Sequence, residues 1–129
     1  MVMKKTTAIS LVCHAIMFLM WGYGIYESAR GPQNGVVMQK IDYIYFIVVV
    51  AMFAYHCLIL TFLIDKSLTG RWGLAVVCLV METIVFPAYL YAGSLGSATP
   101  LGVLFFIPAA LTLVSLISNV VCLAFKWSY

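Results

Sequence analysis

The sequence predicts an all-α polytopic membrane protein, a bundle of four transmembrane helices arranged as two antiparallel hairpins within one domain spanning residues 1–129. Three observations carry this reading. Hydrophobic residues make up 65% of the chain and charged residues 9%, outside the range of soluble globular domains. The apolar excess is gathered into four runs, about 6–26, 41–64, 72–91 and 101–125. Each is near the ~20 residues that a helix needs to cross about 30 Å of hydrocarbon. Nearly all of the charge lies at or beyond the ends of these runs, in Lys4, Lys5, Glu27, Arg30, Lys40, Asp42, Asp65, Lys66, Arg71 and Lys126.

The first run follows Lys4 and Lys5, as the apolar region of a signal peptide would. It is too long for one, ends in Trp21, Gly22, Tyr23 and Gly24, and shows no small-residue cleavage site, so a retained helix is expected. A loop dense in turn formers, Arg30-Gly31-Pro32-Gln33-Asn34-Gly35, separates it from the second run. The second and third runs are joined by the short segment Ser67-Leu68-Thr69-Gly70, and residues 93–100 close the second hairpin. Trp21, Tyr23, Tyr26, Tyr43, Tyr45, Tyr89 and Tyr91 at one interface, with Trp72, Trp127 and Tyr129 at the other, read as aromatic belts.

Basic residues set the expected orientation. With four spans, Lys4, Lys5, Lys66, Arg71 and Lys126 fall on one side and only Arg30 and Lys40 on the other, which places both termini in the cytoplasm. A bacterial or archaeal-type plasma membrane is the expected location. The net charge of +3 is spent on this topology, so nucleic acid is not an expected partner. Cys13, Cys57, Cys78 and Cys122 all fall inside spans, where four buried thiols are expected and a disulfide framework is not.

Three ionisable side chains interrupt the apolar runs: His14, His56 and Glu82. Such groups are costly in hydrocarbon and mark function by default. Counting along the helices puts the two histidines ~12 Å and Glu82 ~15 Å from the cytoplasmic ends. In the fourth run Thr112, Ser115, Asn119 and Cys122 recur every three or four residues and so share one helix face. Ser115 and Asn119 thereby join the same layer. The structural alternative is plain packing, in which such groups only exchange interhelical hydrogen bonds of about 1 kcal/mol. Glu82 resists that alternative best, because a carboxyl at this depth must stay protonated or pair with a histidine. Pro87 frees the carbonyl of Thr83 beside it, and Pro108 is expected to free that of Leu104. A faint internal echo aligns residues 11–18 with residues 79–86 and sets His14 against Glu82.

With no catalytic loop and no soluble domain, the chain is not expected to be an enzyme. The first reading is proton-linked transport or ion conduction by a homo-oligomer, with Glu82, His14, His56, Ser115 and Asn119 holding substrate or protons. In size the chain is similar to small multidrug exporters; their essential acid lies in the first helix, where this chain has His14. The second reading is a non-catalytic accessory, immunity or inhibitor subunit that binds a partner within the bilayer as part of a larger membrane complex. The third is a cofactor site: bis-histidine haem on His14 and His56, or a metal ion on His14, His56 and Glu82. The leading expectation is that no cofactor is required.

Overall fold

The computed structural model describes residues 5–29, 40–69, 73–95 and 105–124, without the side chains of residues 28, 29, 40–45, 69 and 95. The loop around Arg30 to Gln39, Lys4, Arg71, Trp72, Pro100, Leu104, Lys126, Trp127 and Tyr129 lie outside the described residues, as do the side chains of Lys40, Asp42, Tyr43 and Tyr45. The described chain is helical: α1 (Lys5–Ala29), α2 (Lys40–Thr69), α3 (Gly73–Leu95) and α4 (Phe106–Ala124). Each contains a window long and apolar enough to cross a membrane.

Successive helices run in opposite directions. Thr7 near the start of α1 meets Lys66 near the end of α2, and Gly93 near the end of α3 meets Phe106 at the start of α4. Helix α1 packs broadly against α2 and α4, and α3 against α4, while the α2–α3 seam is narrower. This gives a four-cornered bundle with α1 and α3 on one diagonal. The starts of α1 and α3 and the ends of α2 and α4 form one end, called the terminal end below; the opposite end is the loop end.

The inward faces follow a spacing of alternating three and four residues. In α1 the sequence is Thr7, Ser10, His14, Met17 and Trp21; in α2 it is His56, Ile59, Leu63 and Lys66. Cys78, Glu82 and Tyr89 do the same in α3, and Thr112, Ser115, Asn119 and Cys122 in α4. That period is the seam of antiparallel helices crossing at a shallow angle, where each inward side chain settles among neighbours on the facing helices. The residues it buries are unusual for water but ordinary for a bilayer. Ser10, His14, His56, Glu82, Thr112, Ser115 and Asn119 are fully buried, whereas Leu19, Ile47, Leu68, Ile84 and Ile117 are exposed. Lipid tails are as apolar as leucine, so hydrophobicity does not drive leucine inward there, and polar and small groups take the contacts.

Four local features depart from expectation. Helix α2 runs on to Thr69, past the expected end at 64, so Lys66 belongs to the helix and not to a loop. Helix α4 starts at Phe106, which puts Pro108 in its first turn. Backbone N–H groups there have no intrahelical partner, so proline starts this helix instead of kinking it. Cys57 is exposed on the outside of the bundle, and only Cys13, Cys78 and Cys122 are buried. Pro87 is interior to α3, as expected, but on its exposed face.

Close packing at the loop end depends on a missing side chain. A Cβ placed on Gly93 would lie 3.0 Å from Cδ1 and Cε1 of Phe106. Gly93→Leu is expected to force that ring aside and destabilise the bundle by ~1–3 kcal/mol, the usual cost of overpacking. Unfolding in mixed micelles of rising dodecyl sulfate content measures it. An unchanged midpoint would show that the ring moves into lipid freely.

Candidate functional site

The inward polar groups join into a connected column. His14 occupies its centre and uses both ring nitrogens: Nδ1 lies 2.9 Å from Nδ1 of His56, and Nε2 lies 3.1 Å from Oε1 of Glu82. Towards the loop end, Nε2 of His56 is 2.8 Å from the Tyr89 hydroxyl, which accepts a 2.7 Å hydrogen bond from Nε1 of Trp21. Towards α4, Oε1 of Glu82 also accepts from Ser115 Oγ at 3.0 Å and from Asn119 Nδ2 at 2.8 Å. Ser10 closes this part of the network on Ser115 and, at 3.5 Å, on Asn119.

The five residues singled out from the sequence therefore meet, drawn from all four helices. Four of them converge on one carboxyl oxygen or bond to a residue that does so directly. The alignment of His14 with Glu82 across the internal echo becomes a physical contact between diagonal helices. These five lie side by side, and further polar residues extend the arrangement along the axis. Thr7 to Trp21 is fourteen residues of α1, about 21 Å of helix.

The column includes residues that sequence reasoning assigned elsewhere. Tyr89 is buried and Trp21 half-buried, and their polar edges point into the bundle, so they are column members and not interface anchors; Tyr23, Tyr26 and Tyr91 are exposed as belt residues should be. Lys66 is also buried, its ammonium donating to Thr7 Oγ1 at 2.7 Å and to Cys122 Sγ at 3.0 Å. The signal that could have found them was the seam period itself, since Thr7, Ser10 and Trp21 lie in register with His14.

Three donors on Oε1 fit a carboxylate, an acceptor-only group when ionised. That fixes the direction of every proton along the chain. His14 must donate from Nε2, so with neutral rings its Nδ1 accepts from Nδ1–H of His56, whose Nε2 in turn accepts from the Tyr89 hydroxyl. Placing a proton on Oε1 of Glu82 reverses each of these bonds as far as Tyr89. A chain with two matched polarities is the geometry required for stepwise proton passage.

The same geometry bears on cofactors. His14, His56 and Glu82 stand in a row instead of around a shared point, and no group of three His, Cys, Asp or Glu among the described residues is placed to hold a metal ion. A haem iron would have to enter between two imidazoles already in hydrogen-bond contact. The residues present do not fit either group.

Tyr89→Phe removes the hydroxyl shared by Trp21 and His56. It is expected to cost ~1–3 kcal/mol, because it strands polar groups on one buried and one half-buried side chain. Thermal unfolding in detergent checks this, and a loss below about 0.5 kcal/mol would mean that Trp21 and His56 find other partners.

The chain matches no protein-family model, and no curated protein or solved structure shows significant similarity to it. What the fold supports directly is the class: four apolar helices fit a small membrane protein.

Proposed function

We propose that this protein moves protons within the membrane, as a proton-linked transporter or a proton conductor, with both termini in the cytoplasm. The observation that carries the reading is His14, fully buried and bonded through both ring nitrogens, to an imidazole on one side and a carboxyl on the other. An imidazole held this way can take a proton on one nitrogen and release one from the other. Glu82 is the proton acceptor of the chain, His14 and His56 are its relays, and Ser115 and Asn119 hold the carboxylate while it is charged. No covalent turnover is involved. The chain of bonds closes within one protomer, so a proton needs no second copy; a route for a larger substrate would need a homo-oligomer.

The accessory-subunit reading is favoured less. Side chains meant to bond a partner's helix are enclosed by their own chain, leaving an apolar outer face for any such contact. The test is reconstitution of the purified protein alone in liposomes with an internal pH-sensitive dye. An imposed pH gradient, with a potassium diffusion potential to compensate charge, should dissipate well above the rate of protein-free liposomes. Dissipation at the protein-free rate overturns the proposal.

A further inference from the structure

Lys66 is a charged side chain with neutral partners. Two of its three N–H groups donate, one to a hydroxyl and one to a sulfur, and it makes no ion pair with a carboxylate among the described residues. A lysine near the end of a membrane helix ordinarily extends outward to water and headgroups. This one turns inward. An ammonium enclosed in that way requires negative charge nearby, or the burial is unfavourable.

The column supplies it. Thr7 and Cys122, which hold the ammonium, are each one helical turn from Ser10 and Asn119, which belong to the Glu82 network. Because Oε1 also accepts from His14 and Ser115, a turn farther on, the ammonium and the carboxylate are offset by one to two turns, roughly 5–10 Å along the axis. Between them lies Asn119, whose Oδ1 is buried without a partner, as is Oε2 of Glu82. Both are acceptors, and a buried acceptor without a donor favours nearby positive charge. The remaining ionisable groups around the two are Cys13 and His14 from α1, Tyr55 and His56 from α2, Cys78 and Tyr89 from α3 and Cys122 from α4; none is a carboxylate. Asp65 precedes Lys66 in α2, but adjacent residues point about 100° apart on a helix, and Asp65 has interactions of its own.

We propose that Lys66 is the internal counter-charge of Glu82, a positioning residue that lets the carboxylate exist inside the bundle. The two charges form a neutral couple along the column, with Asn119 as the dipole between them. This does not depend on proton transport, so the two proposals fail separately.

The test compares wild type, Lys66→Met, Lys66→Arg, Glu82→Gln and Lys66→Met/Glu82→Gln, each as the full chain in nanodiscs at neutral pH. Infrared difference spectra report the charge on Glu82 directly. Lys66→Met should gain a protonated-carboxyl C=O band that wild type and Lys66→Arg lack and that the double variant loses. Identical carboxyl spectra in wild type and Lys66→Met overturn the proposal. Unfolding midpoints give a second readout. Removing Lys66 should destabilise the wild type more than it destabilises the Glu82→Gln background. Equal losses in both backgrounds, or failure of the double variant to fold where Glu82→Gln folds, would assign Lys66 to packing alone.

Discussion

Glu82→Gln is expected to abolish gradient-driven proton movement in liposomes while leaving the protein folded. Glutamine has nearly the same volume, and its amide oxygen can still accept from His14, Ser115 and Asn119, which hold Oε1 in the wild type. What it cannot do is take up and release a proton. The flux should therefore fall by roughly a hundredfold or more, the scale on which a positioned proton-transfer group acts. Stability should fall, because the buried ammonium of Lys66 loses its counter-charge, but the bundle should still form. Dye-reported flux and the unfolding midpoint, measured on the same preparation, separate the two effects. Wild-type flux in a folded Glu82→Gln protein would remove Glu82 from the pathway and the relay with it.

The residues on which this prediction rests were visible in the sequence for a physical reason. A carboxyl or imidazole inside twenty apolar residues has no cheap explanation, so His14, His56 and Glu82 stand out without any knowledge of helix rotation. Ser115 and Asn119 stand out more weakly, through their shared face on α4. The four spans were legible because membrane thickness dictates their length. Less was legible at the ends. Tyr89 and Trp21 have the composition of belt residues, and only the rotation of α1 and α3 turns their polar edges inward. In the sequence Lys66 reads as a charge that sets orientation because the apolar run stops at Ile64; the helix continues to Thr69 and carries the ammonium into the core. Hydropathy sees a charge at the end of a run and cannot tell inside from outside. Counting from span ends brought His14, His56, Glu82, Ser115 and Asn119, which are in contact, to similar depths; what it left out is extent, because Tyr89 and Trp21 on one side and Ser10, Thr7 and Lys66 on the other continue the polar groups along the axis.

His14→Leu should be the most destabilising single change in the column, and its size discriminates between a working centre and ordinary packing. The substitution leaves Nδ1 of His56 without its partner and strips one of three donors from Glu82 Oε1. If His14 only exchanged neutral hydrogen bonds between helices, the loss would be near 0.6–1 kcal/mol per bond, about what such bonds contribute inside membranes. Removing a donor from a buried carboxylate instead costs more, about 1.5–3 kcal/mol, because the charge stays enclosed and loses a charge-assisted hydrogen bond. Oε1 of Glu82 is enclosed and accepts from His14, which places the change in the second regime. A cycle with His14→Leu, Glu82→Leu and the double variant isolates the term. With the charge gone, the leucine at position 14 should cost far less, giving a coupling of about 1–3 kcal/mol between sites that lie on different helices. Unfolding midpoints in mixed micelles supply all four corners of the cycle. Additive losses would mean that the His14–Glu82 contact carries no charge, and proton passage through it would then lack its central step.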